Sequence, residues 1–188
     1  MRCLFLYGVA GSMSYLLSSQ QLKYNVQKMK DKQLLLDRRY LRMAAIWAEN
    51  SYCHRRKVGA LLVKDKAIIS DGFNGTPSGF PNICEDNSGS THPYVLHAEA
   101  NAITKVARSN NSSEGSTLYV TTSPCMECSK LIIQAGIRRV VFSELYRITD
   151  GLDLLHAAGV ETLHLPLDGH PELPFISEGS LPFNEEKL

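Results

Sequence analysis

The chain has 188 residues, 44% of them hydrophobic and 21% charged, with a formal net charge of +1. That length suits one domain with some spare chain, the composition is that of an ordinary globular protein, and the near-neutral charge excludes a global basic field that would draw in a nucleic-acid backbone. The five cysteines, an odd count, argue against a secreted disulfide framework and for a reducing, cytoplasmic setting, and no run reaches the roughly 18 apolar residues of a membrane span.

Residues 1–28 differ from the rest. Arg2 precedes a short apolar run, Leu4 to Ala10, and then Gly11, Ser12 and Ser14, which resembles a weak signal peptide. The expectation is instead a poorly ordered N-terminal extension. Met29, ahead of Lys30, Asp31 and Lys32, is then the initiator of a globular domain over 29–166. Mass spectrometry of the native N-terminus tests this, and an intact Met1 contradicts it.

Asp37 to Asn50 reads as the first helix, capped by Asp37, with Tyr40, Met43, Ala44 and Trp47 recurring at helical spacing as core positions. Lys57 to Val63 reads as a strand, Lys64-Asp65-Lys66 as a tight turn, and Ala67 to Phe73 as the returning strand of a hairpin. Residues 74–93 form a loop rich in Gly, Pro, Asn and Ser, long enough to suggest function. Tyr94 to Arg108 is a predicted helix with Ala100, Ile103 and Val106 as apolar positions, and Asn110 to Gly115 is a loop. Thr117 to Thr121 is a strand. Pro124 opens a helix that Gly136 closes. Arg138 to Ser143 is a strand, Thr149 to Ala158 a helix closed by Gly159, and Val160 to Leu165 the last strand. Strand-helix-strand-helix-strand predicts parallel neighbours with right-handed crossovers. The expected class is α/β, a three-layer α/β/α arrangement around a five-stranded mixed sheet. The proline-rich residues 167–188 are expected to form a C-terminal tail.

Two segments carry chemistry: His97-Ala98-Glu99 and Pro124-Cys125-Met126-Glu127-Cys128. Two thiolates one helical turn apart, Cys125 and Cys128, can grip one zinc ion. His97 makes a third ligand and leaves a fourth position for water, the mark of a catalytic site. Glu99 is then free to move protons. Each half alone is weak, because a lone histidine or a cysteine pair is more often core packing. Both together, H-x-E and then P-C-x-x-C, form the signature of zinc nucleobase deaminases. Both segments fall at predicted helix N-termini, whose positive end stabilises a thiolate.

On these residues the chain resembles the cytidine deaminase superfamily and, within it, the deoxycytidylate (dCMP) deaminases, including bacterial proteins of the late-competence operon type. The resemblance covers about Tyr40 to Pro166. The finer match rests on Lys57-Val58-Gly59-Ala60, on Gly72-Phe73-Asn74-Gly75-Thr76-Pro77-Ser78-Gly79, on His92-Pro93-Tyr94-Val95-Leu96-His97-Ala98-Glu99, and on Leu131-Ile132-Ile133-Gln134-Ala135-Gly136-Ile137. The resemblance implies Zn2+-dependent hydrolysis of dCMP to dUMP and ammonia, feeding thymidylate synthesis, with Glu99 as the proton shuttle. It implies that the Ala98 N–H holds the pyrimidine O2, the Ser123 carbonyl the amino group and Asn74 the sugar. A plain turn asparagine before Gly75 is the alternative reading of Asn74. Arg55, Arg56 and Lys57 are the obvious donors for a 5′-phosphate.

The resemblance further implies a homo-hexamer, activated by dCTP and inhibited by dTTP near a Gly-Tyr-Asn-Gly motif in which Phe73 here replaces the tyrosine. It also implies a second, structural zinc on Cys53, Cys84 and His92, with His54, Glu85 or Asp86 as candidates for a fourth ligand. Two ordinary cysteines and a loop histidine are the alternative. The expected partner is a small nucleotide, with no membrane and no stable nucleic acid. Competing functions are deamination of a transfer-RNA adenosine or of free cytidine, and a non-enzymatic zinc-binding interaction protein. A riboflavin-pathway deaminase carries a reductase domain for which this chain lacks length.

Overall fold

The computed structural model of the protein describes residues 19–167. The expectations for residues 1–18 and for the tail from 168 onward lie outside the described residues. Helix α1 spans Ser19–Ala48. Its residues up to Leu35 belong to one unit, and the second begins at Leu36 and contains the sheet. The helix therefore starts well ahead of Asp37. The stretch from 19 to 32 carries Leu22, Val26 and Met29 at helical spacing, and its Gln and Lys residues favour helix. Met29 sits inside it and is 72% exposed.

Within the second unit, the face that α1 turns to the sheet overlaps the expected one in part: Ala44 is in the core and Tyr40 packs against it. Leu41, Ala44 and Ala48 are buried, whereas Met43 and Trp47 are exposed and do not belong to the core. The Trp47 indole N–H donates to Asp71 at 2.7 Å. Asp37 is not a helix cap. It is buried in mid-helix, where Arg139 clasps its carboxylate with two nitrogens at 2.9 and 2.8 Å and the Tyr119 hydroxyl donates at 2.7 Å. Burial, followed by the Asp37 carboxylate, pushes the Tyr119 hydroxyl well above its usual range.

Five strands follow: β1 (Gly59–Lys64), β2 (Ala67–Phe73), β3 (Thr117–Thr122), β4 (Arg139–Glu144) and β5 (Glu161–His164). Interspersed are α2 (Ala98–Ala107), α3 (Met126–Gln134) and α4 (Asp150–Ala157). The strand order is β2-β1-β3-β4-β5. β1 runs antiparallel to β2 and to β3, and β3, β4 and β5 are parallel. The expected mixed sheet is thus present, with boundaries shifted by a residue or two. The hairpin turn places both Asp65 and Lys66 at positive φ, 50° and 66°, the geometry that matches strand twist.

Strand side chains alternate between faces. Ala60, Leu62, Leu118, Val120, Val140 and Phe142 pack with α2, α3 and α4. Leu61, Val63, Tyr119 and Val141 pack with Leu41 and Ala44 of α1. The sheet is therefore sandwiched, which explains why β1 is almost wholly apolar. Among the described residues no helix is long and apolar enough to cross a membrane.

Candidate active site

Helix α2 starts beside β2, and α3 starts where β3 ends, so their first turns meet at the carboxyl edge of the sheet. Crevices of this kind hold ligands in α/β folds. His97 and Cys125 occupy the N-cap positions of α2 and α3, and neither side chain caps its helix. They are aimed at each other instead. His97 Nδ1 lies 3.5 Å from Cys125 Sγ and 3.4 Å from Cys128 Sγ, and the three donor atoms all lie within 4.8 Å of one another.

These spacings fit zinc. Bonds of about 2.3 Å to sulfur and 2.0–2.1 Å to nitrogen, held at a tetrahedral angle, put N and S about 3.5 Å apart. Cys125 and Cys128 are both free thiols. Hydrogen bonds from Cys128 and His97 lower the Cys125 pKa, and the bond to Cys125 and burial raise that of Cys128. The hydrogen bond to Cys125 also raises the His97 pKa.

Glu99, in the first turn of α2, is only 4% exposed. Burial raises its pKa, as suits a group that both takes and gives a proton near neutral pH. His97, Ala98, Glu99 and Cys125 line a cleft of about 310 Å³.

Most of the other sequence-predicted residues line the same cleft. Arg55, Arg56, Asn74 and Ser123 are there; Lys57 is not. Backbone alternation turns Lys57 away, into a separate groove with Glu49, Thr121 and Glu144. Asn74 is committed in part to structure: its Oδ1 accepts from the Val58 N–H at 2.7 Å, and its Nδ2 donates to the Arg56 carbonyl at 2.8 Å. Ser123 is fixed by its N–H, which donates to the Glu144 carbonyl at 2.8 Å, and by its hydroxyl, which accepts from the Tyr146 N–H at 2.8 Å.

Tyr146 and Arg147 also line the cleft and were not found from the sequence. The parallel pairing of β3 with β4 brings their turn beside Ser123. The Tyr146 ring is close to two cations, Arg56 at 5.8 Å and Arg147 at 5.9 Å from its centroid.

The long loop is clasped at its base by Gly75 and Leu96, which exchange backbone hydrogen bonds of 3.0 and 2.9 Å. Cys84 is joined to Cys53 as a disulfide. That pairing corrects the expected zinc ligation by Cys53, Cys84 and His92, since both sulfurs are occupied by each other. His92 stacks on Tyr94 with ring centroids 4.9 Å apart. Glu85, a candidate fourth ligand, accepts from the N–H groups of His54 and Arg55.

Comparison with known proteins agrees with this geometry. The family model of the cytidine and deoxycytidylate deaminase zinc-binding region matches residues 35–144. The deoxycytidylate deaminase of Enterobacteria phage T4 is 34% identical, over 67% of this chain and 88% of its own length. That of Mycobacterium phage D29 is 39% identical, over 56% of this chain and 92% of its own length. A crystal structure of dCMP deaminase from the cyanophage S-TIM5, in complex with dCMP and dUMP, is 50% identical, with a TM-score of 0.66 over 67% of this chain and 93% of that one. The chain belongs to the cytidine and deoxycytidylate deaminase family of zinc-binding proteins.

Proposed function

We propose that the protein hydrolyses dCMP to dUMP and ammonia, supplying dUMP for thymidylate synthesis. The observation that carries this is Glu99, a buried carboxyl lining the same cleft as His97 and Cys125, two of the three donors of a zinc site. His97, Cys125 and Cys128 would hold a zinc ion, which would lower the pKa of a water molecule and make hydroxide available near neutral pH. Glu99 takes the proton from the attacking water and delivers it to N3 of the cytosine ring. With the water oxygen now bonded to C4, Glu99 moves the proton of the new C4 hydroxyl to the amino group, and the C4–N bond breaks to release ammonia. The Ala98 amide, in the first turn of α2, has no partner within the helix and is placed to hold the pyrimidine O2. The Ser123 carbonyl takes the amino group. Asn74 retains one N–H for the sugar, because its Oδ1 and one amide hydrogen are already used.

A monophosphate suits this cleft, which Arg55, Arg56 and Arg147 line. Guanidinium groups bind phosphate with two parallel hydrogen bonds. A free nucleotide also has no stack to leave, so no base-flipping cost arises. Incubation of purified protein with dCMP, cytidine and an adenosine-containing transfer-RNA loop, with ammonia assayed, tests the reading. Release fastest from dCMP supports it; release from the RNA loop alone overturns it.

The proposal extends to a homo-hexamer regulated by dCTP and dTTP through the Gly72–Gly75 region. Rates that respond to neither nucleotide remove the regulation, and sedimentation measures the assembly. The same proposal places the protein in the cytoplasm.

A further inference from the structure

The metal donors come from two separate helices, so their spacing depends on where each helix begins. His97 and Glu99 move with α2, and Cys125 and Cys128 move with α3. Each helix start meets a glycine on a neighbouring element. Gly72, in β2, faces the backbone of α2: a Cβ there would run into the Ala98 carbonyl oxygen and lie 2.6 Å from the Ala102 nitrogen. Gly151, in α4, faces the start of α3: a Cβ would run into the Pro124 carbonyl oxygen and lie 2.8 Å from both the Cys125 carbonyl carbon and Ser129 Oγ.

Neither glycine has a positive φ, so neither is there for backbone freedom. Gly79, Gly89 and Gly115 are the opposite case, with positive φ and nothing within 4 Å of a built Cβ. What Gly72 and Gly151 provide is closeness. Ordinary contact with a Cβ begins at 3.4 Å, so a methyl group at either position must push backbone away by several tenths of an ångström or more. Metal-ligand distances tolerate about 0.2 Å, and catalytic groups about 0.5 Å. The displacement exceeds both tolerances.

We infer that Gly72 and Gly151 are positioning residues that set the depth of α2 and α3, and with it the spacing of the zinc donors and the placement of Glu99. The inference rests on the metal-centre reading of His97, Cys125 and Cys128 and is independent of which nucleotide is the substrate.

Gly59 supplies the control. A Cβ there would run into the Ala44 carbonyl oxygen and lie 2.7 Å from the Ala48 nitrogen. The overcrowding is equally severe, but it falls on α1, which carries no donor. The experiment loads wild type and the Gly72→Ala, Gly151→Ala and Gly59→Ala variants with Co2+. It records thiolate-to-metal and ligand-field absorption, zinc affinity by chelator competition, and Tm. All three variants are expected to lose thermal stability. Gly72→Ala and Gly151→Ala should also change the cobalt bands and weaken zinc by about 10–100-fold, as loss of groups that orient ligands does. Gly59→Ala should keep the wild-type bands and affinity.

Should Gly151→Ala not fold, Ser129→Thr presses on the same contact from α3 with a side chain that can rotate. Ser129 Oγ makes no hydrogen bond that the change would break. Its cobalt bands should shift in the same direction by a smaller amount. Wild-type bands and affinity in Gly72→Ala and in Gly151→Ala or Ser129→Thr, or equal changes in Gly59→Ala, overturn the inference. A wild type that gives no thiolate-to-cobalt band overturns the metal reading and the inference with it.

Discussion

Two buried carboxyl groups, Asp37 and Glu99, sit at different places in this molecule and do different work. Asp37 is 1% exposed and Glu99 4%. Asp37 accepts two hydrogen bonds from Arg139 and one from Tyr119, and Arg139 is itself held by Glu161 at 2.8 Å. Every charge there has a partner on another element, so the group ties α1 to β3, β4 and β5. Glu99 lines an open cleft, and none of the ion pairs among the described residues includes it. A buried carboxylate with matched cations maintains structure. A buried carboxyl facing a cleft and a metal site is available for proton transfer.

The largest expected effect separates the two directly. Glu99→Gln should lower turnover by at least roughly 10²–10⁴-fold, the range of a general acid–base group, with zinc content and Tm retained. Near-normal ammonia release would remove Glu99 from the chemistry. Asp37→Ala should do the reverse. Arg139 keeps only the exposed Glu161 and Tyr119 loses its acceptor, which costs up to about 3–5 kcal/mol of stability, read as a lower urea midpoint. The fraction that remains folded should keep its kcat.

A smaller effect concerns the cleft arginines. Arg147→Gln should raise KM for dCMP roughly tenfold, as loss of one charged hydrogen bond does, with little change for cytidine, which has no phosphate. Equal changes for the two substrates would place Arg147 outside phosphate binding. The smallest effect is at the hairpin, where Lys66 holds a φ of 66°. Lys66→Gly should stabilise by about 1 kcal/mol by relieving the left-handed conformation, measured as a modest rise in Tm with turnover unchanged.

The same contrast explains what could be read from sequence. His97, Glu99, Cys125 and Cys128 announce themselves because few residue types can do their work and the spacing is set by one turn of helix. Asp37 gave a misleading signal, since an aspartate at the expected start of a helix reads as a cap. Its true partners, Tyr119 and Arg139, lie 82 and 102 residues away. Met43 and Trp47 misled because helical spacing fixes a stripe but not which neighbour it meets. Tyr146 and Arg147 were invisible because only the pairing of β4 with β3 places their turn beside Ser123. Gly72 was noticed as part of a motif, but the reason for a glycine there appears only when α2 is packed against it.

The most direct test of the central claim is ammonia release from dCMP by chelator-stripped protein before and after stoichiometric zinc is returned. The account predicts negligible release from stripped wild type, recovery on adding zinc, and no recovery in Glu99→Gln that has bound the same amount of metal. Full release from the stripped protein, or recovery in the Glu99→Gln variant equal to wild type, would contradict it.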